Sequence, residues 1–217
     1  MKSLSKIFKT VALFLALLLD CSAQENQGAL AFVNAVALEK PTEILVNGTS
    51  IKPGGFESGQ VTSFIAVPSS VIEVRAKNGD IQAKSLSATP SPTASMILVV
   101  FLSETSGTQA EMKRELRAIS IPSASASSGF RQRILLVGQE KPAVFLANGE
   151  QITLTPGIPS VGVESGDVKI EIEGGQLVGS SSSPEPGNFL IVVFPDLKGG
   201  YKSTSIRDNM ITFKIVD

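Results

Sequence analysis

Histidine and tryptophan are missing from the chain, tyrosine occurs once, at Tyr201, and cysteine once, at Cys21. Without histidine there is no Ser-His-Asp triad, no Cys-His pair and no His-ligated metal, and one cysteine cannot build a zinc finger. The expected metal and cofactor complement is therefore none. Sugar-binding clefts commonly rest the ring on an aromatic face, so the shortage of Trp and Tyr also speaks against a lectin or a glycosidase. No long apolar run follows the N-terminus. The longest is the stretch of seven residues Met96 to Leu102, so no transmembrane segment is expected in the mature chain.

The N-terminus itself carries Lys2, Lys6 and Lys9, then an apolar core from Val11 to Leu19, then Cys21-Ser22-Ala23. That order reads as a secretory signal peptide over residues 1–23, cleaved after Ala23. Cys21 raises lipidation as an alternative, but a lipid-attachment signal wants a small residue before the cysteine, and Asp20 is charged. The expected location is exported, either periplasmic or at the cell surface. Cleavage leaves 194 residues with 16 basic and 19 acidic side chains, a net charge near −3, which offers no basic surface for nucleic acid. With no cysteine left, the exported chain must be held by apolar cores without disulfides.

What is present is a ten-residue stretch that occurs twice, Glu39-Lys-Pro-Thr-Glu-Ile-Leu-Val-Asn-Gly48 and Glu140-Lys-Pro-Ala-Val-Phe-Leu-Ala-Asn-Gly149. Each copy reads as a proline, a short apolar strand and an Asn-Gly turn. Asn47-Gly48 and Asn148-Gly149 are the structural turn residues, since a type I′ hairpin needs φ > 0 at both central positions. Asn78-Gly79 repeats the dipeptide. Beyond the stretch, Val67 to Gly79 lines up with Val163 to Gly175, and alternation places Ile72, Val74 and Ala76, or Val168, Ile170 and Ile172, in a core.

Ala29 to Leu38 reads as a first strand interrupted only by Asn34. Met96 to Leu102 and its counterpart Phe189 to Phe194 are apolar on both faces and should be central strands covered from both sides. Further strands are expected at Val61 to Val67, Ile81 to Leu86, Leu116 to Ile121, Ile134 to Val137, Ile152 to Thr155, Val161 to Val163 and Met210 to Val216, with a serine loop from Ser180 to Gly187. Met112, Leu116 and Ile119 have helix-like spacing, but irregular chain leading into a strand is the better reading of Gln109 to Arg117. The expected fold is all-β: two tandem immunoglobulin-like sandwich modules, residues 25–122 and 130–217, joined by a linker at 123–129. A single continuous sandwich built from both halves is the alternative.

Phe32-Val-Asn-Ala35, the Val46 to Gly48 turn and the Val-x-x-Gly-x-Val-x-Val-like strand together resemble an uncharacterised family of tandem bacterial cell-surface domains with immunoglobulin-like β-sandwiches. Where that family has a Ser-Pro-Asp-Ala-Pro-type segment, this chain has Val36-Ala-Leu-Glu-Lys-Pro41. The resemblance implies fold and export and supplies no catalytic residues.

Other motifs reduce to plain structure. Gly54-Gly-Phe-Glu-Ser-Gly59 has phosphate-loop spacing but Gln60 and Val61 in place of Lys and Ser/Thr. The only Ser-x-x-Lys is Ser3 to Lys6, inside the leader. Glu171 and Glu173 fall on one strand face, where paired carboxylates could share acid–base work or a cation, but Arg75 and Lys77 occupy the matching places of the first copy. The sequon Asn47-Gly48-Thr49 is lost at Glu150, so the turn is what both copies share. The functional expectation is a non-catalytic exported protein that binds another envelope or surface protein. A periplasmic small-ligand carrier and a carboxylate-dependent hydrolase are the alternatives.

Overall fold

The computed structural model describes residues 27–105, 113–124, 128–160 and 163–208. The expected leader, the start of the strand expected at Val161 to Val163 and the strand expected at Met210 to Val216 lie outside the described residues. Every regular element among the described residues is a β-strand, so the chain is all-β. In the N-terminal half these are β1 (Gln27–Ala35), β2 (Glu43–Val46), β3 (Thr49–Ser50), β4 (Ile65–Pro68), β5 (Ile72–Asn78), β6 (Ile81–Gln82), β7 (Leu86–Ala88), β8 (Met96–Thr105) and β9 (Lys113–Pro122). In the C-terminal half they are β10 (Phe130–Leu136), β11 (Ala143–Ala147), β12 (Glu150–Leu154), β13 (Asp167–Ile172), β14 (Leu177–Ser182), β15 (Gly187–Pro195) and β16 (Tyr201–Arg207).

Each half folds as two sheets. The N-terminal half has an inner sheet in the order β4-β1-β8-β9 and an outer sheet β3-β2-β5-β6, with β7 also paired to β5; the C-terminal half has an inner sheet β10-β15-β16 and an outer sheet β12-β11-β13-β14. The main pairings correspond, although β4 has no counterpart strand in the C-terminal inner sheet. β1 runs parallel to β8, as β10 does to β15, and the hairpins β2–β3 and β11–β12 each lean on the next long strand, β5 or β13. A smaller correspondence lies on the flank of the first strand. Phe32 N–H donates to Thr62 Oγ1 at 2.9 Å, and Ile134 N–H donates to Ser160 Oγ at 3.1 Å.

Three apolar cores separate four sheets. One, around Leu30, Phe32, Leu98, Ile44 and Val74, lies within the N-terminal half, and another, around Ile134, Ile191, Phe145 and Ile170, within the C-terminal half. The third joins the halves: Ala31, Val33, Ile97 and Val99 of one inner sheet pack on Leu135, Leu190, Val192 and Phe194 of the other. This explains the uninterrupted apolar runs. In β8, Ile97 and Val99 face the central core while Leu98 and Val100 face the N-terminal one, so neither face of the strand meets water.

Ile72, Val74, Ala76, Val168 and Ile170 are buried in the outer strands, as alternation required, and Ile172 is half-buried. Five readings change. Residues 113–122 form a strand, so the helix-like spacing of Leu116 and Ile119 reflects two opposite faces of β9, one in each core. Ser180 to Ser182 belong to β14, where Ser181 is buried, because small side chains suit a strand that abuts another sheet. Ile81 to Leu86 is broken into β6 and β7, and of Val61 to Val67 only Ile65 to Val67 lies in a strand, β4. Asn78 is the last paired residue of β5, opposite Ile81, with its amide buried and donating to Lys40 C=O and Thr42 Oγ1; the turn is Gly79-Asp80.

Candidate functional site

The two Asn-Gly pairs sit at the tips of β2–β3 and β11–β12. Asn47 and Gly48 have φ of 48° and 80°, Asn148 and Gly149 of 50° and 84°, and no other non-glycine residue among those described has positive φ. The asparagines do more than turn the chain. Asn47 Oδ1 accepts from Glu73 N–H and Asn148 Oδ1 from Lys169 N–H, both at 2.8 Å, so each side chain extends the ladder to the neighbouring strand by one bond. Asn148 Nδ2 also donates to Asp167 C=O at 2.9 Å. All four residues are exposed, and what they share is a structural role.

Glu171 and Glu173 do not form a matched pair on one strand. The β13–β14 register shifts between Ile170 and Glu171, and β13 ends at Ile172, which leaves Glu173 in the following turn. Glu171 is held by Lys169 Nζ at 2.8 Å. Among the described residues no group of three or more acidic or cysteine side chains is placed to hold a metal ion.

Two features close the ends of the central core. At one end Arg133 donates to Pro122 C=O and pairs with Asp208, whose side chain is fully buried and also accepts from Ala124 N–H. This ties the start of the connection between the halves to both inner sheets. At the other end a cleft of about 260 Å³ opens between Leu102, Arg114, Gly138, Pro195 and Asp196. It falls just below the roughly 300–1,000 Å³ common for small-molecule sites. Asp196 is bridged by Lys202 Nζ at 2.9 Å, and that contact holds its carboxyl below the usual aspartate range.

Another concavity lies along β9. A groove of about 350 Å³ runs between the β6–β7 segment, at Lys84 and Leu86, and the strand itself, at Glu115, Arg117 and Ile119. β9 is the last strand of its sheet, so the N–H and C=O groups on its outer edge pair with no other strand among the described residues. The sequence signal for this edge is the polar break Ala83-Lys84-Ser85, inside the stretch Ile81 to Leu86 that reads as one strand. No model of a protein family matches the chain, and no curated protein matches it either.

Proposed function

We propose that this is a non-catalytic exported protein of the cell envelope or surface that works by binding another protein there, with an open sheet edge as the contact. One observation carries the reading: its second ten-residue strand, β9, pairs along one edge with no other strand among the described residues and lies beside a groove. Pairing through backbone groups supplies affinity without special side chains, which fits a sequence so poor in reactive ones. Each half is taken as an immunoglobulin-like sandwich of a tandem pair, a reading supported by short strands in two sheets; the parallel first strand is compatible with it. The small-ligand reading would centre on the 260 Å³ cleft at Arg114 and Asp196. In-cell cross-linking followed by mass spectrometry of what co-purifies tests the proposal. A reproducible envelope partner is expected. Recovery of the monomer alone, together with turnover of a periplasmic substrate, overturns it.

A further inference from the structure

The β9 edge differs from its counterpart in a way that selects a partner chemistry. β16 occupies in the C-terminal half the place of β9, and there the outer strand β14 runs unbroken over six residues and presses against it: a Cβ added at Gly179 would lie 1.9 Å from Ser203 Oγ. In the N-terminal half the matching segment is split into β6 and β7, with two and three residues, and the split leaves the groove beside β9. Its lining is amphipathic. Leu86, Phe101, Ala118 and Ile119 are only partly buried along it, and the rim carries Lys84 and Arg117, whose side chains are 92% and 51% exposed. The one carboxylate there, Glu115, already faces both cations, at 3.8 and 3.4 Å. The rim is thus cationic on a chain whose net charge is −1.

Resting on the function proposed above, we infer that the β9 groove takes an extended segment of the partner in which acidic residues alternate with apolar ones, added as a fifth strand. Its backbone would complete the β9 ladder, its apolar side chains would cover Leu86 and Ala118 on one face, and its carboxylates on the other would meet Arg117 and Lys84, whose head groups both reach Glu115. A second copy of this chain is the poorer occupant, because edge-to-edge pairing would bring two cationic rims together.

The test uses the full chain and a synthetic peptide of about eight residues alternating valine and glutamate, the span that pairs with most of one strand. Binding is followed by fluorescence anisotropy, and amide hydrogen exchange reports the edge. The peptide should bind, slow exchange along β9 and leave β16 unchanged. The exposed pair Lys84→Glu and Arg117→Glu should weaken it about tenfold or more while leaving the melting temperature within a degree or two, since exposed charge changes cost little. N-methylation of alternate peptide residues should abolish binding in one register and spare it in the other. Equal binding of a valine–lysine peptide overturns the inference, as does no binding at all, which would make the cations guards of the edge. So does β9 protection already present in the isolated chain, or appearing with protein concentration alone; these would assign the edge to this chain or to a second copy. If cross-links in cells map to a partner on another face, the inference fails and the proposed function stands; if no partner is found, the function fails first.

Discussion

The two halves of the chain share a strand plan and differ at its margins. β1∥β8 matches β10∥β15, Thr62 matches Ser160, and Asn47 matches Asn148 down to the bond each makes with the neighbouring strand. Against that background the differences stand out: β14 is continuous where β6 and β7 are broken, and β16 abuts β14 where β9 borders a groove. Shared features hold the cores, and divergent ones decide what packs beside each terminal strand.

The comparison breaks first if the halves are energetically independent. Val192 lies in the core between the inner sheets and Val74 in the N-terminal core. Val192→Asp places an unpaired charge where both halves meet, a loss expected above about 4 kcal/mol, enough to abolish much of a domain's stability. Tyr201 fluorescence reports the C-terminal half, and amide exchange of β5 the N-terminal one. Both should lose stability together. If β5 keeps its protection, the central core does not couple the halves.

Next in size is the buried ion pair. Asp208→Asn leaves Arg133, whose side chain is 18% exposed, without its counter-charge, and about 3 kcal/mol of destabilisation is expected in urea unfolding. Replacing both by Met and Leu should recover most of that loss, since an apolar pair of similar volume avoids the desolvation of two charges. A single substitution that costs under about 1 kcal/mol would mean that solvent reaches the pair.

Much of the fold was legible because period-2 alternation and two-sided apolar runs are local signals. Ile72, Val74 and Ala76 declared their face, and Met96 to Leu102 declared a covered strand. The repeated Asn-Gly marked two hairpin tips. Asn78-Gly79 misled because the same dipeptide sits one residue earlier relative to its turn, and only the pairing of Asn78 with Ile81 reveals it. What covers Met96 to Leu102 on its second face was not legible, because packing of one half on the other leaves no mark beyond hydrophobicity itself. The open edge was hidden for the same reason: whether Ile81 to Leu86 is one strand or two depends on what packs beside it.

The margin itself can be probed at Gly179. An alanine there must displace Ser203 Oγ, so Gly179→Ala should cost about 1–2 kcal/mol, and Ser203→Gly in the same chain should restore most of it. Additive effects would show that β14 and β16 do not touch. The hairpin tips should differ less. Asn47→Ala removes one side-chain bond and Asn148→Ala two, so losses of about 1 and about 2 kcal/mol are expected, each adding the strain of positive φ on alanine. Gly48→Val and Gly149→Val should each cost about 1–2 kcal/mol or more, because a β-branched side chain resists φ > 0.

The smallest expected effect is electrostatic and again sets one half beside the other. In the N-terminal half Glu73 is lowered from its ordinary range chiefly by the Arg75 side chain, and in the C-terminal half Asp196 chiefly by that of Lys202. A carboxyl with a depressed folded-state pKa contributes stability that is present above its unfolded pKa and lost as pH falls through the folded value, so both contributions should fade below about pH 4. The Arg75–Glu73 bridge at 2.8 Å joins two residues of a single strand and lies in solvent, while Lys202–Asp196 at 2.9 Å links β16 to the end of β15 and leaves Asp196 only 14% exposed. The cross-strand bridge is the one that ordering the hairpin would create. Lys202→Met should therefore lower stability by a few tenths of a kcal/mol at neutral pH, less in high salt and not at all in acid, whereas Arg75→Met should leave the melting temperature unchanged. Carboxyl titration by NMR reads the two groups separately, and an Asp196 that titrates in the ordinary aspartate range would show that Lys202 does not hold it.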